Sequence, residues 1–273
     1  PHTRLPPTPR GHPPPVTVGL GLGLAVAWYV LRGLARRWAW ARRCVRVLSP
    51  WTAQLHVWVL SAPMTFTYIA IFTASTVVQR TSPPRLIDLL TKLNSTNLLR
   101  LGDDPLEALL TSAFWVADHG SGLAGYVVVF GTVVAWAERR YGSPRMLLIG
   151  ASGHVFGSLL TAAVEKGAIE AGRLPDKIAF ATDVGVSYVE VGSCAAAVLI
   201  MSGWIRLAGA AVMFVSVGLP VIVDHGIWDF GHLFAALCGL TAAVLLRTVG
   251  PLRTPPPLRP PLVVSTAGDP VDL

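Results

Sequence analysis

The feature that most constrains this chain is a succession of apolar stretches separated by polar connections. A membrane-crossing helix needs about 20 mostly apolar residues. Residues 55–78, 123–137, 146–164, 178–201, 205–223 and 228–246 read as such segments. Only 14% of the chain is Asp, Glu, Lys or Arg, against roughly a quarter in soluble domains. The mean hydropathy of +0.56 makes lipid the expected solvent for most of the surface. The expected fold is therefore all-α, a polytopic six-helix bundle. Residues 16–31 supply either a seventh N-terminal span or a helix lying on the membrane surface. That run ends in arginines, not in a small-residue cleavage site, so it reads as a retained element, not a signal peptide.

Four regions follow. Residues 1–15 form a Pro-rich tail expected to be disordered. Residues 16–54 join an apolar run to a basic stretch (Arg32, Arg36, Arg37, Arg42, Arg43 and Arg46) interleaved with Trp38 and Trp40, a pattern that fits a headgroup layer. Residues 55–247 are the membrane domain, and residues 248–273 are a second Pro-rich tail. The long polar connection at 79–107 separates the first two spans.

The net charge of +7 is not a nucleic-acid signature, because the basic residues sit in short clusters beside apolar runs. Arg36–Arg46, Arg139–Arg145, Arg206 and Arg247–Arg259 fall on alternate ends of successive spans. All lie in the cytoplasm if the first span runs outward. The expectation is a multi-pass plasma-membrane protein with a cytoplasmic C-terminus. The lipid bilayer is its first partner, and transmembrane helices of other proteins are further candidates. The three cysteines, Cys44, Cys194 and Cys238, give no disulfide framework. No metal or other cofactor is expected.

Polar residues inside lipid need a partner or a purpose. The fourth segment carries Asp183, Ser187 and Glu190; the sixth carries Asp229 and His232; the third carries Ser152, His154, Ser158 and Thr161. If the fourth segment is helical from its start, Ser187 lies about ten residues in from Lys177, or ~15 Å. His232 lies about seven residues in from His225, or ~10 Å. A serine and a histidine at similar depth on neighbouring helices can form a nucleophile–base pair. Small residues around them (Gly185, Gly192 and Ala196 on one helix, Ala235, Ala236 and Gly239 on the other) permit the close approach that such a bond needs.

Several of these residues have plainer readings. Asp183 and Ser187, at i and i+4, can bond to each other. Asp229 either orients His232 or caps its helix. Glu190 shares a face with Ser187 and can also pair with His154. Gly150-Ala151-Ser152-Gly153 matches a Gly-x-Ser-Gly nucleophile motif literally, but Ser152 falls near the cytoplasmic end and is read as packing. Asn94-Ser95-Thr96 is formally a glycosylation acceptor.

Over roughly residues 55–247 the chain resembles the rhomboid superfamily of intramembrane serine proteases, in particular its actinobacterial rhomboid-like members. The resemblance rests on Gly185-Val186-Ser187-Tyr188, on Gly231-His232 through Gly239, on Thr111–Trp115, and on Ala137-Glu138-Arg139-Arg140-Tyr141-Gly142. Ser95-Thr96-Asn97-Leu98 resembles the actinobacterial branch. The resemblance implies a rhomboid-like bundle in which Ser187 attacks a peptide carbonyl and His232 takes its proton.

Two departures accompany it. The protease motif has glycine after the nucleophile, where this chain has Tyr188. The His-x-x-x-Asn motif of the second helix, which helps bind the oxyanion, is replaced by Gly122 and Tyr126; nearby His119 is followed four residues on by Leu123. Tyr126 and His154 are the candidate substitutes. Loss of an oxyanion donor costs roughly a hundredfold or more in rate. Three functions compete: an intramembrane serine endopeptidase, a catalytically silent rhomboid-fold protein that binds membrane helices, and a small-solute transporter. The last lacks the internal repeat such folds usually carry.

Overall fold

In the computed structural model, residues 16–117, 120 and 122–258 are described. The expectations for the Pro-rich segments 1–15 and 259–273, and for His119, lie outside those residues. The described chain is helical throughout, with no β-strand. The N-terminal helices are α1 (Val16–Leu34), α2 (Ala39–Leu60) and α3 (Pro63–Thr81). The long connection holds three short helices, α4 (Pro84–Leu93), α5 (Leu98–Asp103) and α6 (Pro105–Ser112). α7 (Leu123–Val129) runs through a π-helical turn (Phe130–Val134) into α8 (Ala135–Tyr141). α9 is Ser143–Glu170 and α10 is Val186–Ile200. α11 (Gly203–Met213) continues through a second π turn (Phe214–Gly218) into α12 (Leu219–Val223). α13 is Ile227–Thr248.

Six helical segments form the bundle, α3, α7–α8, α9, α10, α11–α12 and α13; among the described residues α9, α11–α12 and α13 are each long and apolar enough to cross a membrane, and the bent pair α2–α3 is a fourth candidate. Two expected spans need correction. Residues 55–78 are not one helix: α2 and α3 meet at an angle of 89°. Ala62, at φ −133 and ψ 56, leaves the helical region, and Pro63 opens α3 at a position where its missing N–H costs nothing. The bend is fastened by Glu138 of α8, which accepts hydrogen bonds from the Met64 and Thr65 backbone N–H groups at 2.9 and 2.8 Å and from Ser143 Oγ at 2.6 Å. The boundary drawn at residue 54 thus falls inside α2. The second correction concerns residues 178–201. Asp176–Phe180 is a single 3₁₀ turn, residues 181–185 are non-helical, and α10 starts only at Val186.

The centre of the bundle is the mutual packing of α9, α10 and α13, and glycines set its geometry. A Cβ on Gly239 would lie 2.5 Å from the Gly192 Cα and carbonyl oxygen, and one on Gly153 would meet Gly192, Tyr188 and Ala235 backbone at 3.2–3.3 Å. Two helix backbones touch there with no side chain between them. Ala196, Ala235 and Ala243 are fully buried nearby. Beside this crossing, Tyr68, Phe72 and Phe130 pack with ring centroids 5.1–5.5 Å apart, tying α3 to the π turn of α7–α8. Met146, Ile149 and Val134 complete the core. The outward faces are apolar: Leu147, Leu207, Val212, Val215 and Leu245 are each more than half exposed, as expected of surface solvated by lipid.

Gly239→Ala should be strongly destabilising, by about 1–3 kcal/mol for overpacking, and should lower the thermal unfolding midpoint of the detergent-solubilised protein. Gly167→Ala, where a Cβ meets nothing within 4 Å, should leave that midpoint unchanged or raise it.

Candidate active site

Ser187 and His232 meet. His232 Nε2 lies 3.1 Å from Ser187 Oγ, across the α10–α13 crossing that the glycines permit, and both residues are half-buried. The contact arises differently from the depth argument made on the sequence. Ser187 is the second residue of α10, not one buried several turns along a longer helix. The first residues of a helix have N–H groups without an intrahelical partner, and the Ser187 N–H is among them.

The loop before α10 is held on two sides. On one, the Asp183 N–H donates to Ser95 Oγ at 2.8 Å, and Thr96 N–H donates to the Asp183 carbonyl at 2.9 Å. Thr96 Oγ1 adds a 3.2 Å bond to the Asp183 carboxylate. The expected Asp183–Ser187 bond is replaced by this clamp, because Asp183 lies outside the helix. On the other side, the Gly185 N–H donates to the Ser112 carbonyl at 2.9 Å.

His154 backs this second contact. Its Nε2 lies 2.9 Å from the Leu109 carbonyl oxygen and 3.4 Å from Ser112 Oγ, and Ser158 Oγ lies 3.5 Å from Nδ1. The ring presses on Gly185, where a Cβ would fall 2.2 Å from His154 Cε1. His154 therefore pins the α6 end to the start of α10. Its ring nitrogens bond to these groups, not to Glu190.

Tyr188, standing where the protease motif has glycine, points away from the serine. Its buried ring lies 5.4 Å from the His232 ring, tilted by 43°, and its hydroxyl is 3.3 Å from Thr161 Oγ1 of α9. Gly231 makes this possible, since a Cβ there would lie 2.1 Å from the Tyr188 hydroxyl. Tyr188 thus forms a floor under the imidazole. Asp229 takes the capping role: its Oδ2 accepts the Gly226 N–H at 2.9 Å at the start of α13. Tyr126 lies on α7 with its ring over Gly122 and packs against the core. Ser152 lines an outward groove with Phe156, Leu160 and Leu237, away from His232. Among the described residues no group of three or more His, Cys, Asp or Glu could hold a metal ion.

The sequence reading missed the Ser95–Asp183 clamp, although Ser95-Thr96-Asn97 and Asp183 were both noted. The available signal was a short polar run facing a carboxylate in a chain with few of either.

A multi-helix membrane bundle with a serine–histidine pair at one helix crossing is the class that fold and site define. The chain belongs to the rhomboid superfamily: the family model described as "Rhomboid-like protein" matches residues 57–251. Comparison with curated proteins and with solved structures gives no match.

Replacing Ser95 by Ala together with Thr96 by Val removes the side-chain half of the clamp. At roughly 1 kcal/mol per bond, amide hydrogen exchange at residues 94–97 and 181–185 should accelerate about tenfold or more, with exchange in α9 and α13 unchanged. Mass spectrometry of the exchanged protein reads both.

Proposed function

We propose that this protein is an intramembrane serine endopeptidase that cleaves transmembrane substrates, with Ser187 as nucleophile and His232 as general base. The observation that carries this reading is the 3.1 Å separation of Ser187 Oγ and His232 Nε2, within hydrogen-bond reach for proton transfer. In this mechanism His232 is neutral, with its proton on Nδ1 and its Nε2 lone pair toward Ser187. Oγ attacks the scissile carbonyl while its proton passes to Nε2. The imidazolium then returns the proton to the leaving amine, and water, deprotonated by the same nitrogen, releases the acyl group. Tyr188, packed against the ring, limits how far the imidazole can turn.

The oxyanion must be met by donors other than the missing His-x-x-x-Asn pair. The N–H of Ser187, in the first turn of α10, is one such donor. The second reading, a silent rhomboid-fold protein that binds membrane helices, is favoured by Gly122 and Tyr126 standing where that motif should be. The two readings differ in whether Ser187 is reactive.

A fluorophosphonate probe should label the solubilised wild type. Ser187→Ala should abolish labelling, and His232→Ala should slow it by about a thousandfold or more. Folded wild type that stays unlabelled, or labelling that survives Ser187→Ala, would eliminate the protease reading. If the silent reading holds, Ser187→Ala leaves binding of membrane helices intact.

A further inference from the structure

The end of the bundle opposite the start of α10 collects positive charge that, among the described residues, forms no ion pairs there. Arg139 and Arg140 close α8, Arg145 opens α9, Arg247 ends α13, and Arg253 follows on the strap of residues 250–258. The strap folds back over the α8–α9 turn. The Arg253 N–H donates to the Arg140 carbonyl at 2.6 Å, and Arg145 donates to the Gly250 and Pro251 carbonyls at 3.2 and 2.9 Å. Arg139 donates to the Pro256 carbonyl at 2.6 Å, with its guanidinium 4.8 Å from the Trp58 ring centroid.

Among the described residues none of these five arginines lies within salt-bridge distance of a carboxylate; the ion pairs are Arg100–Glu107 and Lys166–Glu170, elsewhere in the chain. Glu138 is nearby, but both its oxygens are engaged at the α2–α3 bend. Arg139 Nε and Arg140 Nε are buried with no hydrogen-bond partner. Between the strap, α2 and the α8–α9 turn lies a cavity of about 460 Å³, whose polar lining is Arg139, Arg253, Ser143, Ser61, Thr254 and the engaged Glu138.

We propose that this cavity binds the headgroup of an anionic phospholipid. Charge complementarity argues for an anion, since the Arg139 and Arg253 guanidinium groups line the pocket beside a Glu138 whose oxygens are already engaged, with Arg140, Arg145 and Arg247 at the same end of the bundle. The adjoining surface argues that the anion carries acyl chains. Leu147 and Leu148 follow Arg145, Leu245 precedes Arg247, and Leu60 lies on the cavity wall, all of them more than half exposed. An anion held by the arginines would have its hydrocarbon running along these leucines. The bound lipid would bridge α2, the α8–α9 turn and the strap. The proposal does not depend on the protease reading, because it uses none of its residues.

Native mass spectrometry of the full chain in detergent, titrated separately with phosphatidylglycerol and phosphatidylcholine, tests it. Phosphatidylglycerol should bind at least about tenfold more tightly, following the attraction of several arginines to an anionic headgroup. Arg253→Gln, exposed and on the cavity lining, should weaken phosphatidylglycerol binding by about fivefold, and Arg247→Gln, exposed at the same end but off the lining, should weaken it less. They should leave phosphatidylcholine binding and the thermal unfolding midpoint of lipid-free protein unchanged. Equal binding of the two lipids, or variants that bind phosphatidylglycerol like the wild type, would overturn the proposal. So would displacement of phosphatidylglycerol by inorganic phosphate at equal concentration, which would assign the site to the free anion.

Discussion

Everything at the candidate site depends on the near-contact of the α10 and α13 backbones at Gly192 and Gly239. Within a bilayer no hydrophobic driving force presses helices together, so association rests on close packing and on polar contacts between helices. Ordinary side chains hold helix axes 8–10 Å apart, and a serine hydroxyl reaches an imidazole comfortably only when that spacing shrinks. Glycines at both sides of the crossing, with α9 closing through Gly153 and Gly157, produce the shorter distance. The Ser187–His232 hydrogen bond lies above that contact and follows from it.

The second requirement is that Ser187 be held at the very start of its helix. A helix beginning at Val186 in an apolar chain exposes N–H groups that lipid cannot satisfy, so the preceding loop must be fixed by protein. Two elements of the long connection do this, one through Ser95 and Thr96 on Asp183, the other through Ser112 and His154 on Gly185. The connection between α3 and α7 is therefore more than a linker. It is the wall against which the loop preceding Ser187 is set, and His154, buried in α9, is the peg between them.

The spans of α9, α11–α12 and α13 were legible in the sequence because their apolar runs are continuous and end in charges or in Pro and Gly. The pairing of Ser187 with His232 was legible for a different reason, the small residues that flank each. What hydropathy could not show was where helix gives way to loop inside an apolar stretch. Residues 178–185 are nearly as apolar as α10, yet Asp183 and Gly185 bond to partners some seventy to ninety residues upstream, and those tertiary bonds replace the helical ones. The break at Ala62–Pro63 was hidden in the same way. Proline in a membrane helix is compatible with a continuous span, and the carboxylate of Glu138, reaching from α8 to the Met64 and Thr65 N–H groups, satisfies the donors that the bend leaves free. Tyr188 looked like a lesion in the motif; its ring in fact fills the space under His232 that Gly231 leaves open.

This last substitution bears on how the departures from the protease pattern are weighed. A glycine after the nucleophile leaves its backbone unencumbered, and a tyrosine there would obstruct the site if its side chain followed the hydroxyl outward. Instead the side chain turns inward, toward Thr161, so the backbone N–H groups of the first turn stay clear while the imidazole gains a rigid neighbour. His154 does not replace the His-x-x-x-Asn pair, since its ring nitrogens bond to the α6 end and to Ser158. A proteolytic reading must therefore draw its oxyanion stabilisation mainly from the α10 backbone. A preorganised backbone donor retains much of its worth in a water-poor site, but a single one leaves the rate below that of a complete constellation. On the proposed protease reading, slow turnover combined with a reactive serine is therefore the expected behaviour.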